Sequence, residues 1–301
     1  MAREHIRAFA DVPGVTITGI YSRTRSPAEA LAREYRIPIV CNSVSELYEK
    51  TKADLVVVAV VETAMNPVSR ACFEFPWTVL LEKPPGYNLE DSQEIYVSAK
   101  AKNRTVLVGL NRRFLSSTQA ALKDLAQNHF PRFIHVQDQQ SLETAASHGH
   151  PPVVVKNWMY ANSIHVIDYL RLLGRGRVTS VEPVSPWNPK SPSVVLAKIE
   201  FESGDKGLYK GIWKGPGPWA VSVTTPKKRW QMQPLEQAAY QVLGERQSHS
   251  IEIHPWDKNF KPGFRLQAEQ AVAAALGQSS DCPTLDEAME TMRLIQGIFG
   301  Q

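Results

Sequence analysis

Two short stretches of the chain contain side chains that could perform acid–base chemistry. The first is LLEKPPG at residues 80–86, in which Glu82 and Lys83 end a predicted strand and Pro84 follows. Proline favours an extended backbone at the residue before it, so the Lys83 ammonium group is predicted to project from the strand end. Ligands of open α/β sheets bind at that end of parallel strands. A solvated strand terminus explains this stretch equally well when it is taken alone.

The second stretch is NWMYANSIHVIDYLRLLG at residues 157–174, which predicts a helix carrying His165, with Asp168 three residues further on. An imidazole with a pKa of about 6.5 can take up and release a proton at neutral pH. A single histidine on an apolar helix face is more often a hydrogen-bonded core residue than a catalyst. The catalytic interpretation of His165 therefore depends on the first stretch.

The order of predicted elements indicates two domains of different type. Residues 15–110 alternate strands with helices, and Leu55 to Val60 is continuously apolar, as expected of parallel strands covered on both faces. After residue 112, strands follow one another through Gly, Pro and Asn turns, and two helices close the chain at about 264–276 and 284–297. We predict a Rossmann-type, doubly wound α/β domain at 1–112. We predict an α+β domain with a large, mostly antiparallel open sheet at 113–301.

Composition argues against several classes of protein. The 301 residues are 43% hydrophobic, which suits one or two globular domains. Lys and Arg exceed Asp and Glu by 34 to 30 without long basic runs, so no nucleic-acid partner is expected. Cys41, Cys72 and Cys282 lack metal-site or disulfide-framework spacing, and no metal is predicted. No membrane-length apolar run or signal peptide is present, and a cytoplasmic protein without membrane partners is expected.

Together these stretches resemble the Gfo/Idh/MocA family of NAD(P)-dependent oxidoreductases. The resemblance rests on EKP at 82–84, VGLNRRF at 108–114, the histidine helix ending LRLLG, and LDEAMETMRLIQGI at 285–298. It implies hydride transfer between a nicotinamide and a hydroxyl or ketone of a sugar, a sugar derivative or a cyclitol. It also implies a carbohydrate-type small-molecule substrate and a homo-oligomer, a dimer or tetramer, assembled through the antiparallel sheet.

The resemblance also implies roles for individual residues. Lys83 and His165 are the expected catalytic residues, with His165 exchanging the hydroxyl proton and the Lys83 charge stabilising a developing alkoxide. The residues expected to bind the cofactor are Ala2, Ser22, Arg23, Thr24, Ala59, Val60, Glu82, Lys83, Asn111 and Arg112. Those expected to bind the substrate are Lys83, Arg113, Trp158, Asn162 and His165.

The sequence departs from the family pattern at Ala161. Many members carry an aspartate four residues before the histidine, one helical turn away, where it can tune or replace the base. Lysine and histidine can perform the transfer without it, so this departure bears on rate and substrate class more than on reaction type. The alternative hypothesis is a catalytically inactive family member that binds a ligand or a partner.

The N-terminal segment MAREHIRAF resembles the helix that follows the family's glycine fingerprint, with Ala2 at the last fingerprint position. About a dozen residues, with the first strand and two glycines, would then be absent from this chain, through a start-site error or a real loss. That strand is central in the order 3-2-1-4-5 of a doubly wound sheet. We therefore expect a parallel sheet whose first strand is missing.

The stretch YSRT at residues 21–24 ends the first strand that is present, where a side chain is expected to face the adenosine ribose. An acidic residue there would select NAD by accepting from the ribose 2′-hydroxyl, and none is present. Ser22, Arg23 and Thr24 could instead hold a 2′-phosphate through charge-assisted hydrogen bonds. NADP is therefore the expected cofactor and NAD the alternative, although Arg23 also fits a surface cation.

Overall fold

The computed structural model describes residues 1–300 and divides into two compact units. The first unit contains residues 1–109 and 259–289, and the second contains residues 110–258 and those from Glu290 onward. The sequence predicts one boundary at residue 112, with all later residues in the second domain. The structure instead returns residues 259–289 to the first unit, where the helix Phe264–Ala275 packs against the helix Ala2–Ala10.

The first unit alternates helices with parallel strands. Its N-terminal segment contains the helices α1 (Ala2–Ala10), α2 (Arg25–Tyr35), α3 (Val44–Thr51), α4 (Met65–Phe73) and α5 (Leu89–Ala101). Its strands are β1 (Gly19–Tyr21), β2 (Ile39–Cys41), β3 (Leu55–Val58), β4 (Thr78–Glu82) and β5 (Val106–Gly109). β1 pairs with β2, and β4 lies between β3 and β5, all in parallel register. Within residues 1–300, β1 and β3 do not pair, so the parallel strands form two separate sheets.

The second unit is built on one eight-stranded sheet. Its strands are β6 (Phe133–Gln139), β7 (Val178–Ser185), β8 (Val194–Phe201), β9 (Lys206–Ile212), β10 (Ala220–Thr224), β11 (Lys228–Met232), β12 (Ala238–Val242) and β13 (His249–Ser250). The strand order is β13-β12-β11-β10-β6-β9-β8-β7. Only the β6–β9 pair in this sheet is parallel. The predicted fold class, a Rossmann-type parallel sheet plus a large, mostly antiparallel sheet, is confirmed.

The later helices complete the two units. They are α6 (Ser116–Leu125), α7 (Leu142–Ser147), α8 (Pro152–Lys156), α9 (Ile164–Leu173), α10 (Pro255–Asn259), α11 (Phe264–Ala275) and α12 (Leu285–Phe299). α11 and α12 match the two helices that the sequence predicts at the end of the chain. No helix among residues 1–300 combines the length and apolar character needed to cross a membrane.

The core of the second unit follows from the period-two burial of its strands. In β8, every second residue from Val195 to Phe201 is buried, and β6 buries Ile134, Val136 and Asp138 in the same way. Helix α9 packs against β6 and β10 and is buried along most of its length. His165 is thus carried by a helix whose position is fixed by the sheet.

Candidate active site

Glu82, the last residue of β4, is a buried carboxylate with two different partners. Its Oε1 lies 2.7 Å from Nε2 of His5 in α1, and its Oε2 accepts a hydrogen bond of 3.2 Å from the backbone N–H of Lys83. Gly109 of β5 stands opposite Glu82 in the register. A Cβ at Gly109 would lie 3.2 Å from the carbonyl oxygen of Leu81, so glycine leaves room beside this strand end.

Several charges determine the ionisation of Glu82. Burial raises the pKa of Glu82. The hydrogen bond and charge of His5 and the charges of Lys83 and Lys261 together lower this pKa by more than burial raises it. The net result is a pKa below the usual value, so Glu82 is ionised at neutral pH. The end of β4 therefore holds a fixed negative charge directly beside Lys83.

Lys83 occupies the position that the sequence predicts, immediately after the carboxyl end of β4, and it is half-buried. The chain then turns tightly through buried prolines at 84 and 85 to Gly86. Gly86 has a φ of 142°, and a Cβ there would lie 2.5 Å from the backbone nitrogen of Ser92. Helix α5 begins just beyond, where the Asn88 side chain accepts from the Asp91 N–H at 2.8 Å. The segment after Lys83 is therefore held closely against the start of α5.

The other predicted cofactor residues of the first unit lie at element ends. Ser22, Arg23 and Thr24 follow β1, and Arg23 and Thr24 are exposed. The predicted residues 59 and 60 follow β3, and the predicted Ala2 is the first residue of α1. Hydroxyl and guanidinium donors after β1 suit the ribose and phosphate groups of a dinucleotide.

In the second unit, His165 follows an irregular helical turn. Residues Met159–Ser163 form a π-helical turn directly before α9, a feature often found at functional sites. Ala161, the departure from the family pattern, is buried inside this turn. His165 is half-buried, and its ring centroid lies 6.2 Å from that of Trp219. The imidazole is therefore placed beside an aromatic side chain.

Gln140, which the sequence analysis did not identify, organises two of the predicted substrate residues. Its Oε1 accepts hydrogen bonds of 2.9 Å from both Trp158 Nε1 and Asn162 Nδ2. Its Nε2 donates to Oδ1 of Asp138 at 2.7 Å, and Tyr209 donates to Oδ2 of the same carboxyl at 2.8 Å. Burial raises the pKa of Asp138. The only sequence signal was a run of polar residues, QDQQ, at the end of β6.

Arg113, predicted to bind substrate, forms a buried ion pair in the structure. Its Nε and Nη2 donate to the two carboxylate oxygens of Asp168 at 2.7 Å and 2.8 Å, and Thr291 donates to Oδ1 at 2.9 Å. The pair connects α9 to the 3₁₀ turn Asn111–Phe114. The Arg113–Asp168 pair therefore fixes two elements relative to each other: the 3₁₀ turn, which carries Arg112, and α9, which carries His165.

We expect Asp168→Asn to destabilise the protein by about 3 to 5 kcal/mol, because it leaves the Arg113 charge buried without its carboxylate. Urea unfolding followed by tryptophan fluorescence measures the change. The control is Arg293→Gln, which breaks an exposed ion pair with Glu290 and should change the urea midpoint little. Equal midpoints for the two variants would contradict this role of the buried pair.

A cavity of about 360 Å³ lies in the second unit beside Arg112. Its lining residues are Arg112, Pro218, Trp219, Gln233, Pro234, Leu235 and Glu236. Arg112 is ion-paired with Glu236, and its guanidinium carbon lies 5.9 Å from the centre of the Trp219 ring. Asn111, also predicted to bind cofactor, is buried in the adjacent turn. The cavity therefore combines an aromatic wall with a planar donor and a carboxylate, and its volume suits a small polar ligand.

The described residues give no sign of a metal site. No group of three or more His, Cys, Asp or Glu side chains in residues 1–300 is arranged to hold a metal ion. All three cysteines are buried and unbridged.

These features define a class of protein: an α/β chain with a Rossmann-type unit and a second unit on a mostly antiparallel sheet. Residues 1–110 match the model of the GFO_IDH_MocA oxidoreductase family, which has an NAD-binding Rossmann fold. The match includes the EKP segment, and over residues 1–110 it confirms the resemblance to the Gfo/Idh/MocA oxidoreductases.

Solved structures with the same fold cover almost the whole chain. A dehydrogenase from Chromobacterium violaceum is 17% identical over 99% of this chain and 90% of its own, with a TM-score of 0.82. The aldose-aldose oxidoreductase from Caulobacter crescentus, complexed with glycerol, is 16% identical over 98% and 92%, with a TM-score of 0.79. A levoglucosan dehydrogenase complexed with NADH and levoglucosan is 16% identical over 99% and 93%, also with a TM-score of 0.79. No curated protein sequence matches the chain significantly.

Proposed function

We propose that this protein is an NADP-dependent dehydrogenase or reductase. It transfers a hydride between the nicotinamide and a hydroxyl-bearing carbon of a sugar, a sugar derivative or a cyclitol. The observation that carries the proposal is the end of β4, where Lys83 follows a buried, ionised Glu82 in a unit that belongs to an oxidoreductase family. Charged groups at the carboxyl end of a parallel strand lie where α/β proteins bind their ligands.

The residues at the strand ends of the first unit fit a nicotinamide dinucleotide. Ser22, Arg23 and Thr24 would hold the adenosine ribose and its 2′-phosphate, and residues 59 and 60 would border the dinucleotide. No acidic side chain in the YSRT segment is present to accept from a ribose 2′-hydroxyl, which favours NADP over NAD. When bound, the nicotinamide supplies the acceptor or donor of the carbon-bound hydrogen and its electron pair.

His165 and Lys83 act on the substrate oxygen in this proposal. In the oxidation, His165 takes the hydroxyl proton on a ring nitrogen as the carbon–oxygen double bond forms, and in the reduction it returns that proton. The Lys83 ammonium stabilises the negative charge that develops on the same oxygen. Glu82 keeps a compensating charge beside the lysine in both directions.

The polar groups of the second unit support a carbohydrate as the substrate. Trp219 offers an aromatic face, while Arg112 and Glu236 offer a planar donor and an acceptor for hydroxyl groups. Trp158 and Asn162, both hydrogen-bonded to Gln140, would add an aromatic ring and an amide to the substrate site. Similar structures are named as enzymes of aldoses and levoglucosan, which supports the same substrate class.

We further propose a cytoplasmic homo-oligomer that assembles through the antiparallel sheet. Phe133 of β6 and Val194 of β8 are 48% and 40% exposed on the sheet, and a second copy seated there would cover them. Size-exclusion chromatography with light scattering measures the assembly, and a monomer at all concentrations would contradict it.

An absorbance assay tests the function directly. The protein is mixed with NADPH or NADP and a panel of sugars, sugar phosphates, nucleotide sugars and cyclitols, and the nicotinamide absorbance is followed. We expect turnover with at least one member of the panel. Saturable binding of a sugar without any turnover would favour the inactive, ligand-binding alternative.

We expect Arg23→Ala to reduce the preference for NADPH over NADH about 10-fold, because it removes a charge-assisted bond to the 2′-phosphate. Fluorescence titration gives the Kd for each dinucleotide. The Kd for NADH should stay within about twofold of the wild type. The control is Arg33→Ala, which removes an exposed arginine of α2. Unchanged discrimination in Arg23→Ala would refute the assignment.

A further inference from the structure

His5 is a buried ionisable residue that the proposed reaction does not use. Its side chain is 4% exposed and that of Glu82 is 7% exposed. The two residues are 77 positions apart in the sequence, yet Nε2 of His5 and Oε1 of Glu82 are 2.7 Å apart. The contact joins α1 to the end of β4 within the first unit.

Stability alone is a weak explanation of such a pair. Removing two ionisable groups from water carries a desolvation cost that their attraction often only balances, and apolar residues of similar volume often serve as well. A buried pair is better explained when one of its groups is needed for another contact. Glu82 makes that contact, because its second oxygen accepts from the Lys83 backbone N–H at 3.2 Å.

The packing around His5 fixes its ring. The ring centroid of Phe264 in α11 lies 4.8 Å from that of His5, and the ring of Phe9 on α1 lies at 6.3 Å. In this packing the imidazole presents Nε2 to Glu82. Oε1 of Glu82 is therefore committed to His5, and Oε2 is left for the Lys83 amide.

We propose that His5 is a positioning residue, which holds Lys83 at the end of β4 by orienting the Glu82 carboxylate. The catalytic consequence rests on the proposed function, whereas the positioning is a property of the first unit alone. In this proposal His5 contacts neither the substrate nor the nicotinamide, and it acts only through Glu82.

Two substitutions of His5 distinguish the effect of its hydrogen-bond donor from the effect of its volume. His5→Leu fills the space but donates nothing, so Glu82 loses its partner and turns away from the Lys83 amide. His5→Gln keeps an N–H donor at similar reach. The control is Arg3→Gln, which changes an exposed residue of the same helix whose ion pair is with Glu34.

Hydrogen–deuterium exchange of the Lys83 amide measures the positioning without any substrate. The two prolines that follow Lys83 have no amide hydrogen, so a peptide spanning this turn reports few other sites. We expect exchange at Lys83 to be about 10-fold faster in His5→Leu and close to the wild-type rate in His5→Gln and Arg3→Gln. An unchanged rate in His5→Leu would overturn the proposal.

Steady-state kinetics then measure the consequence. We expect kcat to fall about 100-fold in His5→Leu and less than about threefold in His5→Gln, because a displaced catalytic group is costly. The sugar KM and the Kd for NADPH should stay within about twofold. Equal losses of kcat in both variants, with normal amide exchange, would contradict the proposal.

A further variant covers the case in which His5→Leu does not fold. Glu82→Met keeps much of the side-chain length and leaves His5 in place, but it has no oxygen to accept from the Lys83 N–H. Faster exchange at Lys83 supports the link, and an unchanged rate contradicts it. If exchange responds as expected but the wild type turns over no sugar, the proposed function fails while the positioning stands.

Discussion

We expect kcat to fall about 1,000-fold in His165→Asn, because the variant removes the imidazole proposed to accept the hydroxyl proton. The Kd for NADPH should be unchanged, since the proposal gives the histidine no role in holding the dinucleotide. The loss is measured by steady-state kinetics with the sugar found in the panel assay. Asparagine keeps polarity at the position, so the neighbouring Trp219 is disturbed little.

Two comparisons make this result specific to the imidazole. The control is His148→Asn, an exposed histidine of the same unit, which should keep wild-type kcat. In His165→Ala, added imidazole should restore part of the rate, because a free base can enter the space left by the ring. A loss of less than about 10-fold in His165→Asn would contradict the assignment of the base.

We expect kcat to fall about 100-fold to 1,000-fold in Lys83→Met, because the developing alkoxide would lose its neighbouring positive charge. Methionine has a similar length and packs beside Pro84 without the charge. Lys83→Arg keeps a charge of different geometry and should lose less. The measurement is kcat at saturating NADPH and sugar, with the reaction followed by absorbance.

The matched control for this variant is Lys102→Met, which removes an exposed lysine whose ion pair with Glu74 lies on the surface of the same unit. It should leave kcat unchanged. A fall in sugar binding with full kcat retained in Lys83→Met would show that the amine binds the ground state only, and the proposed role would then be wrong.

Much of the fold could be predicted because it depends on local periodicity. The continuous apolar run at β3 indicates a parallel strand, and the succession of strands joined by Gly, Pro and Asn turns after residue 112 indicates the open sheet. The return of α11 to the first unit could not be predicted, because helical periodicity gives a buried face but not its partner. The Phe264 contact with His5 is a tertiary contact between distant segments.

The candidate site was predictable where chemistry and position coincide in a short segment. Lys83 and its strand end were found because a charged pair before proline follows an apolar run. Gln140 was missed because a polar residue at a strand end has no distinctive spacing. The Arg113 pair with Asp168 was missed for another reason: the two residues are 55 positions apart, and either alone fits a ligand-binding role.

Deuterium transfer tests the central claim most directly. NADPH carrying deuterium at the transferred position of its nicotinamide is incubated with the protein and a panel of keto-sugars and ketocyclitols, and the products are analysed by mass spectrometry and NMR. The account predicts one deuterium on the new carbinol carbon, with the hydroxyl proton drawn from solvent. Saturable NADPH binding with no deuterium in any product, above the level without protein, would contradict it.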